Sequence, residues 1–277
     1  MVTFRPLTDG DFDAVVTAFN EAFSDYAVRF SMTAPQLREI CTRRAVDFDL
    51  SIGAFDGDRL VGFTLNGFDN GTAYDSGTGV VPSHRRQALA RRMMEQVMPS
   101  LRDFGARRYV LEVIESNSRA IALYESLGFT TIRTLTCWNY ANRGSDAADI
   151  RPIADFPDDF RDVEPTWQNS AAAIRRAADP RVILGAFDGE LLAGYAVVFP
   201  RTHDLAQLAV RPTHRRRGLG SALLDRASAE AEGTLRILNV DAGDAGIEAF
   251  LRARSAEQIV RQREMERELM VAELMGC

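Results

Sequence analysis

Sulfur and imidazole are scarce in this chain, whose 277 residues hold three cysteines and three histidines. Cys41, Cys137 and Cys277 form no CxxC pair and stand near no histidine cluster. Neither a disulfide framework nor a zinc site of ordinary spacing is indicated, and no metal is expected. No stretch of 18 apolar residues occurs, so no transmembrane helix is predicted. The opening MVTFRPLTDGDF lacks a basic segment followed by an apolar one, so no secretory signal is predicted. Positive charge is in deficit too: 33 Lys and Arg face 39 Asp and Glu, a net charge of −6. Such a chain offers no broad basic surface to nucleic acid. These absences together predict a reduced, cytoplasmic protein with no membrane and no nucleic-acid partner.

What is present is ordinary globular composition, 46% hydrophobic and 26% charged. The length favours two domains over one core. The chain also repeats itself. Ile52-Gly-Ala-Phe-Asp-Gly57 recurs as Leu184-Gly-Ala-Phe-Asp-Gly189, and Leu60-Val-Gly-Phe63 as Leu192-Ala-Gly-Tyr195. Val80-x-Pro82-x-His84-Arg85-Arg86 recurs as Val210-x-Pro212-x-His214-Arg215-Arg216, and Phe4-Arg5-Pro6-Leu7 as Ile150-Arg151-Pro152-Ile153. The offset is 146 from Phe4 to Ile150, 132 from Ile52 to Leu184 and 130 from Arg85 to Arg215. Order is kept while the second copy loses residues, mostly from its first helical stretch. Four matches in one order mark a tandem duplication. It predicts domains at 1–142 and 150–277, joined by a polar linker at 143–149.

Periodicity predicts the elements of the first copy. A short strand at 3–7 precedes helices at 11–24 and 35–45. Strands at 50–55 and 59–68 flank the hairpin signal Asp56-Gly57. A strand at 73–81 ends at Pro82, and a helix at 86–104 follows. A strand at 108–114, a helix at 118–127 and a strand at 130–140 complete the copy. The second copy follows suit, with a hairpin at 182–199, a strand at 205–210 and a helix at 216–231. A strand at 235–241, a helix at 245–253 and a strand at 257–265 end it. Interleaved strands and helices of this kind predict an α/β fold with a mixed sheet in each copy.

The sharpest local signal is a strand–turn–helix junction. In the second copy a strand ends near a proline, a basic loop follows, and Gly218-Leu219-Gly220 opens a helix. Free amides and the positive dipole end of a helix make an anion site there. Arg215-x-x-Gly218-x-Gly220 after Val-x-Pro resembles the coenzyme A pyrophosphate loop of the GNAT superfamily of N-acetyltransferases. The first copy carries Arg85-x-x-Ala88-x-Ala90 at the same place, with alanine at 88 where glycine is usual. If residue 88 has helical dihedrals, alanine costs little. The resemblance implies two tandem GNAT-type domains, each a mixed, mainly antiparallel sheet flanked by helices, with acetyl-CoA as cofactor. It implies cofactor contacts from Arg85, Arg86, Gln87, Ala88, Leu89, Ala90 and Arg91 in the first copy. In the second they come from Val210, Arg215, Arg216, Arg217, Gly218, Leu219, Gly220 and Ser221. His84 and His214, beside the loops, are expected to stabilise them.

The other half of the family signature is stronger in the first copy. Residues 111–129, LEVIESNSRAIALYESLGF, look like the strand–helix segment of GNAT enzymes, especially the ribosomal-protein alanine acetyltransferase branch. By that resemblance Asn117 bonds the pantetheine arm, Tyr124 protonates the departing thiolate and Glu112 is the general base. A water chain to Asp75 is the alternative to Glu112. The chemistry requires such types, since an amine must lose a proton and a thiolate gain one. Main-chain groups of the strand ending at Val80 and Val81 would polarise the thioester carbonyl. The second copy has Leu251 or, one residue back, Phe250 where Tyr124 stands, and neither carries a proton.

The function implied is transfer of an acetyl group to a small-molecule or peptide amine by direct attack, within residues 1–142. Two alternatives remain open: turnover in the C-terminal copy, and a coenzyme A-binding sensor or scaffold without turnover. Acceptor recognition is expected from residues 19–45 and the variable loops, and Asp25, Tyr26, Asp47 and Asp49 could favour a cationic amine. The chain is expected to form an intramolecular pseudo-dimer, as a monomer or a homodimer.

Overall fold

A computed structural model describes residues 1–25, 31–141 and 148–269. Tyr26, Asn142 at the end of the expected first domain, residues 143–147 of the expected linker, and Cys277 lie outside the described residues. The chain divides into two compact units. One is Met1–Ile132 with the chain from Glu264 onward, and the other is Arg133–Arg263.

The first sequence copy supplies β1 (Val2–Pro6), α1 (Phe12–Ala22), α2 (Ala34–Arg43), β2 (Val46–Asp56), β3 (Arg59–Asp69) and β4 (Thr72–Val80). Then come α3 (Leu89–Asp103), β5 (Arg108–Ile114), α4 (Ser118–Ser126) and β6 (Thr130–Tyr140). Local chemistry explains the boundaries. Thr33 caps α2, with its hydroxyl accepting from the Gln36 amide and the Gln36 side chain reaching back to the cap. The hairpin of β2 and β3 turns at Gly57, whose φ of +59° favours glycine. α3 buries Leu89, Met93, Met94, Val97, Met98 and Leu101, an apolar stripe of helical period. It starts at Leu89, later than the predicted 86, because Arg86 and Ala88 both have left-handed backbone that interrupts a helix. β1 to β4 pair antiparallel in sequence order, while β4 and β5 run parallel.

The second copy supplies β7 (Asp149–Pro152), α5 (Ala171–Arg176), β8 (Val182–Asp188), β9 (Leu191–Phe199) and β10 (Asp204–Val210). It continues with α6 (Leu219–Glu230), β11 (Leu235–Asp241), α7 (Ala245–Ala253) and β12 (Glu257–Glu268). The short α5 is what remains of the first helical stretch, as the shrinking offset implied. β7 to β10 are antiparallel and β10 runs parallel to β11. Each unit is therefore a mixed, mainly antiparallel sheet with helices packed on it.

The division between units falls inside β6 and inside β12, not at the polar linker. Past Ile132, β6 is paired antiparallel with β11, with Trp138 opposite Ile237 and Tyr140 opposite Leu235. Trp138 and Tyr140 are buried in the second unit's core. Conversely, Met265 and Leu269 are buried in the core of the first. The sequence repeat and the compact unit thus have different boundaries.

Candidate active site

In the first unit β4 and β5 pair only from Thr72 opposite Arg108 to Asp75 opposite Leu111. At that point β4 bulges, since Asn66 of β3 faces Asp75 and Leu65 faces Gly77, with Ser76 left over. The parallel strands then diverge, and β4 runs on to Val80 without a β5 partner. The second unit repeats this. β10 and β11 pair over Asp204–Leu205 only, and Ala206 is the extra residue against β9. Each unit so has a wedge-shaped opening in its sheet, next to the loop that ends the diverging strand.

Those loops match in detail. Arg86 and Arg216 both have φ of +63°, and each helix is preceded by a left-handed residue, Ala88 at +57° and Gly218 at +84°. The first amide returned into α3 is that of Arg92, donating to Ala88 O, and in α6 that of Ala222, donating to Gly218 O. The amides of the preceding turn therefore point out of the helix end, a cradle that fits a diphosphate. A Cβ on Gly220 would make only ordinary contact with Phe250 and Val210, in keeping with Ala90 at that place in the first copy.

The first arginine of each loop serves the fold. Arg85 donates through Nε to Val80 O, through Nη2 to Ala22 O, and forks onto Asp25. Arg215 likewise donates to Val210 O and pairs with Asp162 at 2.7 Å. His84 and His214 reach Asp56 and Asp188 of the hairpin turns at 3.4 and 3.5 Å, the expected stabilising role. Arg91 donates to Ser126 Oγ, and Arg217 pairs with Asp188. Arg86, Gln87 and Arg216 are exposed, while Leu89 and Val81 are buried, and the Val81 amide donates to Val61 O. Ser221 lies in the first turn of α6.

The expected catalytic residues gather at the first opening. Asn117 caps α4, accepting from the Ala120 amide at 3.2 Å. Asp244 caps α7 in the same way. Tyr124, the seventh residue of α4, is buried, and its phenol lies near enough to the Asp75 carboxyl to favour its charged form. Leu251, not Phe250, is the seventh residue of α7 and so the counterpart of Tyr124. Glu112 accepts a 2.7 Å hydrogen bond from the Tyr74 hydroxyl. Burial first, then the Glu112 charge, pushes the Tyr74 phenol well above its ordinary range. Tyr74 and Asp75 are consecutive on a strand, so their side chains leave opposite faces. Glu112 and Tyr124 therefore approach the opening from opposite sides of the sheet. Burial raises the Asp75 carboxyl to about 6 against the hydrogen bonds of Thr78 and Gly77 and the nearby Tyr124 phenol. The sequence offered Asp75 only as an alternative. Its partner Thr78, and Thr64 and Asn66 beyond it, were missed, although polar residues at inward positions of a hydrophobic strand were a readable signal.

In the second unit the opening and loop border a cavity of about 610 Å³. It extends from Gly218 and Ser221 past Leu208 and Leu238 to Phe160 and Asn169. Among the described residues no group of three or more His, Cys, Asp or Glu could hold a metal. No described helix is long and apolar enough to cross a membrane.

The sequence matches the acetyltransferase (GNAT) family twice, over residues 13–129 and 147–254. It is 30% identical over 137 residues to mycothiol acetyltransferase of Catenulispora acidiphila, covering 47% of this chain and 43% of that protein. It is 48% identical over 56 residues to the [ribosomal protein bS18]-alanine N-acetyltransferase of Escherichia coli, 20% of this chain and 38% of that one. The chain thus spans less than half the length of these curated relatives. The fold matches a tandem GNAT protein from the clavulanic acid biosynthesis pathway, with TM-score 0.76, 16% identity and coverage of 99% and 100%. It also matches a GCN5-related N-acetyltransferase from Sphaerobacter thermophilus, with TM-score 0.73, 13% identity and coverage of 98% and 96%. The family model matches each copy and each copy has the split sheet, so the chain belongs to the acetyltransferase (GNAT) family as a tandem of two such domains.

Proposed function

We propose that the first unit is an N-acetyltransferase using acetyl-CoA, and that its acceptor is a small-molecule or peptide amine. The observation that carries this reading is Tyr124, buried on α4 near the Asp75 carboxyl where β4 leaves β5. Acetyl-CoA, when bound, supplies a thioester whose acetyl carbon takes the amine and whose sulfur leaves as a thiolate. The amides of residues 86–91 hold the diphosphate. The unpartnered edge of β4 up to Val80 offers main-chain groups to the carbonyl. Glu112, which accepts from the Tyr74 hydroxyl, takes the proton of the amine, and Tyr124 gives its own to sulfur. Attack is direct, so no nucleophilic cysteine takes part. The names of the curated relatives support an amine acceptor.

The second unit we read as a coenzyme A-binding copy without turnover. Its loop keeps the glycine pair and borders the cavity, yet Leu251 occupies the place of the acid. The decisive measurement is thiol release from acetyl-CoA across a panel of amines, polyamines and peptide N-termini. Tyr124→Phe keeps the ring and is expected to lower kcat by roughly 10²–10⁴-fold, whereas Leu251→Ala should remove no acid. Full activity in Tyr124→Phe together with inactivity in Gly218→Glu would move turnover to the second unit.

A further inference from the structure

Asp75 does not stand alone. Its Oδ1 accepts from the Gly77 amide at 2.9 Å, and its Oδ2 from the Thr78 hydroxyl at 2.8 Å. Thr78 Oγ1 lies 3.0 Å from Thr64 Oγ1, which lies 3.3 Å from Asn66 Oδ1. The Tyr109 hydroxyl donates to that same oxygen, and Asn66 Nδ2 donates to Leu50 O at 2.8 Å. Thr64, Asn66 and Tyr109 are wholly buried, and Asp75 is 6% exposed. A chain of polar groups thus crosses β3, β4 and β5 inside a hydrophobic core and ends at Asp75, near the Tyr124 phenol, which packs with Tyr109 against the Phe129 ring. Each link costs desolvation, which the hydrogen bonds only offset.

The second unit is an internal control for whether the fold needs this chain. Thr64 faces Thr78 across β3 and β4, and Ala196 faces Leu208 across β9 and β10. Asn66 faces Asp75, and Val198 faces Leu205. Asp75 pairs with Leu111 and Leu205 with Ile237, so Tyr109 and Leu235, two residues earlier, also correspond. With Tyr124 matched by Leu251, every polar link has an aliphatic counterpart. Five of the six, Ala196, Val198, Leu205, Leu235 and Leu251, are buried in one apolar core, and Leu208 packs against it. The same architecture forms without the polar chain, so folding does not require it.

We propose that Asp75 is the positioning residue of Tyr124: held by the buried chain from Tyr109 through Asn66, Thr64 and Thr78, it fixes the Tyr124 hydroxyl at the opening between β4 and β5. This rests on Tyr124 being the acid of the first unit. The second copy, with Leu205 and Leu251 at the two places, lacks the acid and its support together. The other titratable or charged groups that act on Asp75 and its phenol neighbours are Arg44, Tyr74, Tyr109 and, through Tyr74, Glu112.

Two measurements on the full chain test it. In ligand-free protein labelled with ¹³C-tyrosine, the Tyr124 ring resonance is identified by its loss in Tyr124→Phe. It should titrate with a midpoint of about 6, the value for Asp75, and become flat in Asp75→Asn. A resonance indifferent to pH and to Asp75→Asn would overturn the proposal whatever the kinetics. With the best acceptor of the amine panel, Asp75→Asn and Asp75→Leu should each lower kcat about 10- to 100-fold, as loss of an orienting partner does. KM for acetyl-CoA should not change. In a Tyr124→Phe background neither should cost anything further, because the two residues act as one device. Losses that multiply would make Asp75 an independent group, such as the amine's base, and overturn its role toward Tyr124. Full activity of Tyr124→Phe alone would remove the acid assignment itself, a distinguishable failure.

Discussion

Asp75 trades stability for function. Burial holds its carboxyl at about 6, above the ordinary 3.8, so the folded chain binds that proton more tightly than the unfolded one. The stabilisation is fully present below about pH 4 and is lost as pH rises through about 6, on the order of 3 kcal/mol in all. The stability of the wild type minus that of Asp75→Asn should fall by that order between pH 4 and pH 7 in denaturant titrations. A difference independent of pH would contradict the burial argument. Ala88 shows a second residue-scale cost. Its φ of +57° is not the helical value that would make alanine harmless, and a left-handed Cβ costs roughly 1–2 kcal/mol. Ala88→Gly should recover about 1 kcal/mol of this, read as a higher Tm. An unchanged or lower Tm would mean that the loop relaxes around alanine.

At the scale of elements, the loop–helix junction is the recurring device, with a left-handed residue, a helix N-terminus and an arginine tied back to the strand. In the second unit it borders a cavity large enough for a ligand. Glutamate at Gly218 would add both a strained Cβ and a negative charge beside the free amides. Gly218→Glu should therefore abolish coenzyme A binding there, and calorimetry with unchanged stoichiometry and affinity would refute that site. The two openings differ in lining rather than in geometry, which is why strand order alone does not tell which copy turns over.

At the scale of the molecule, neither sequence copy is by itself one compact unit. The end of β12 lies in the first unit, where Met265 is wholly buried and the Leu269 amide donates to Arg107 O. Arg267 of the same strand donates to Leu127 O, at the end of the helix that carries Tyr124. Met265→Ala is expected to cost about 2–5 kcal/mol by cavity formation, seen as faster hydrogen exchange in α4. Trp138 and Trp167 both lie in the second unit, so tryptophan fluorescence reads that unit separately. Protection of α4 identical to wild type would mean that β12 does not support the acid's helix.

Much of this was legible from residues. The duplication, the hairpins at Asp-Gly and the helix opened by Gly218 rest on local pattern, because turn chemistry and apolar period act between near neighbours. Spans such as 108–114 and 245–253 follow from period alone. The strand exchange and the chain behind Tyr124 do not. Met265 reads as one apolar residue in a charged run, and Thr64, Asn66 and Asp75 as isolated polar residues in strands. Their meaning depends on which strand lies beside which and on side-chain hydrogen bonds between residues up to 43 positions apart. The sequence determined the elements, their order and the reaction's candidate groups. Only tertiary pairing decided which strand completes each unit and which carboxylate meets the acid, because hydrogen-bond register between distant strands is not encoded in either strand alone.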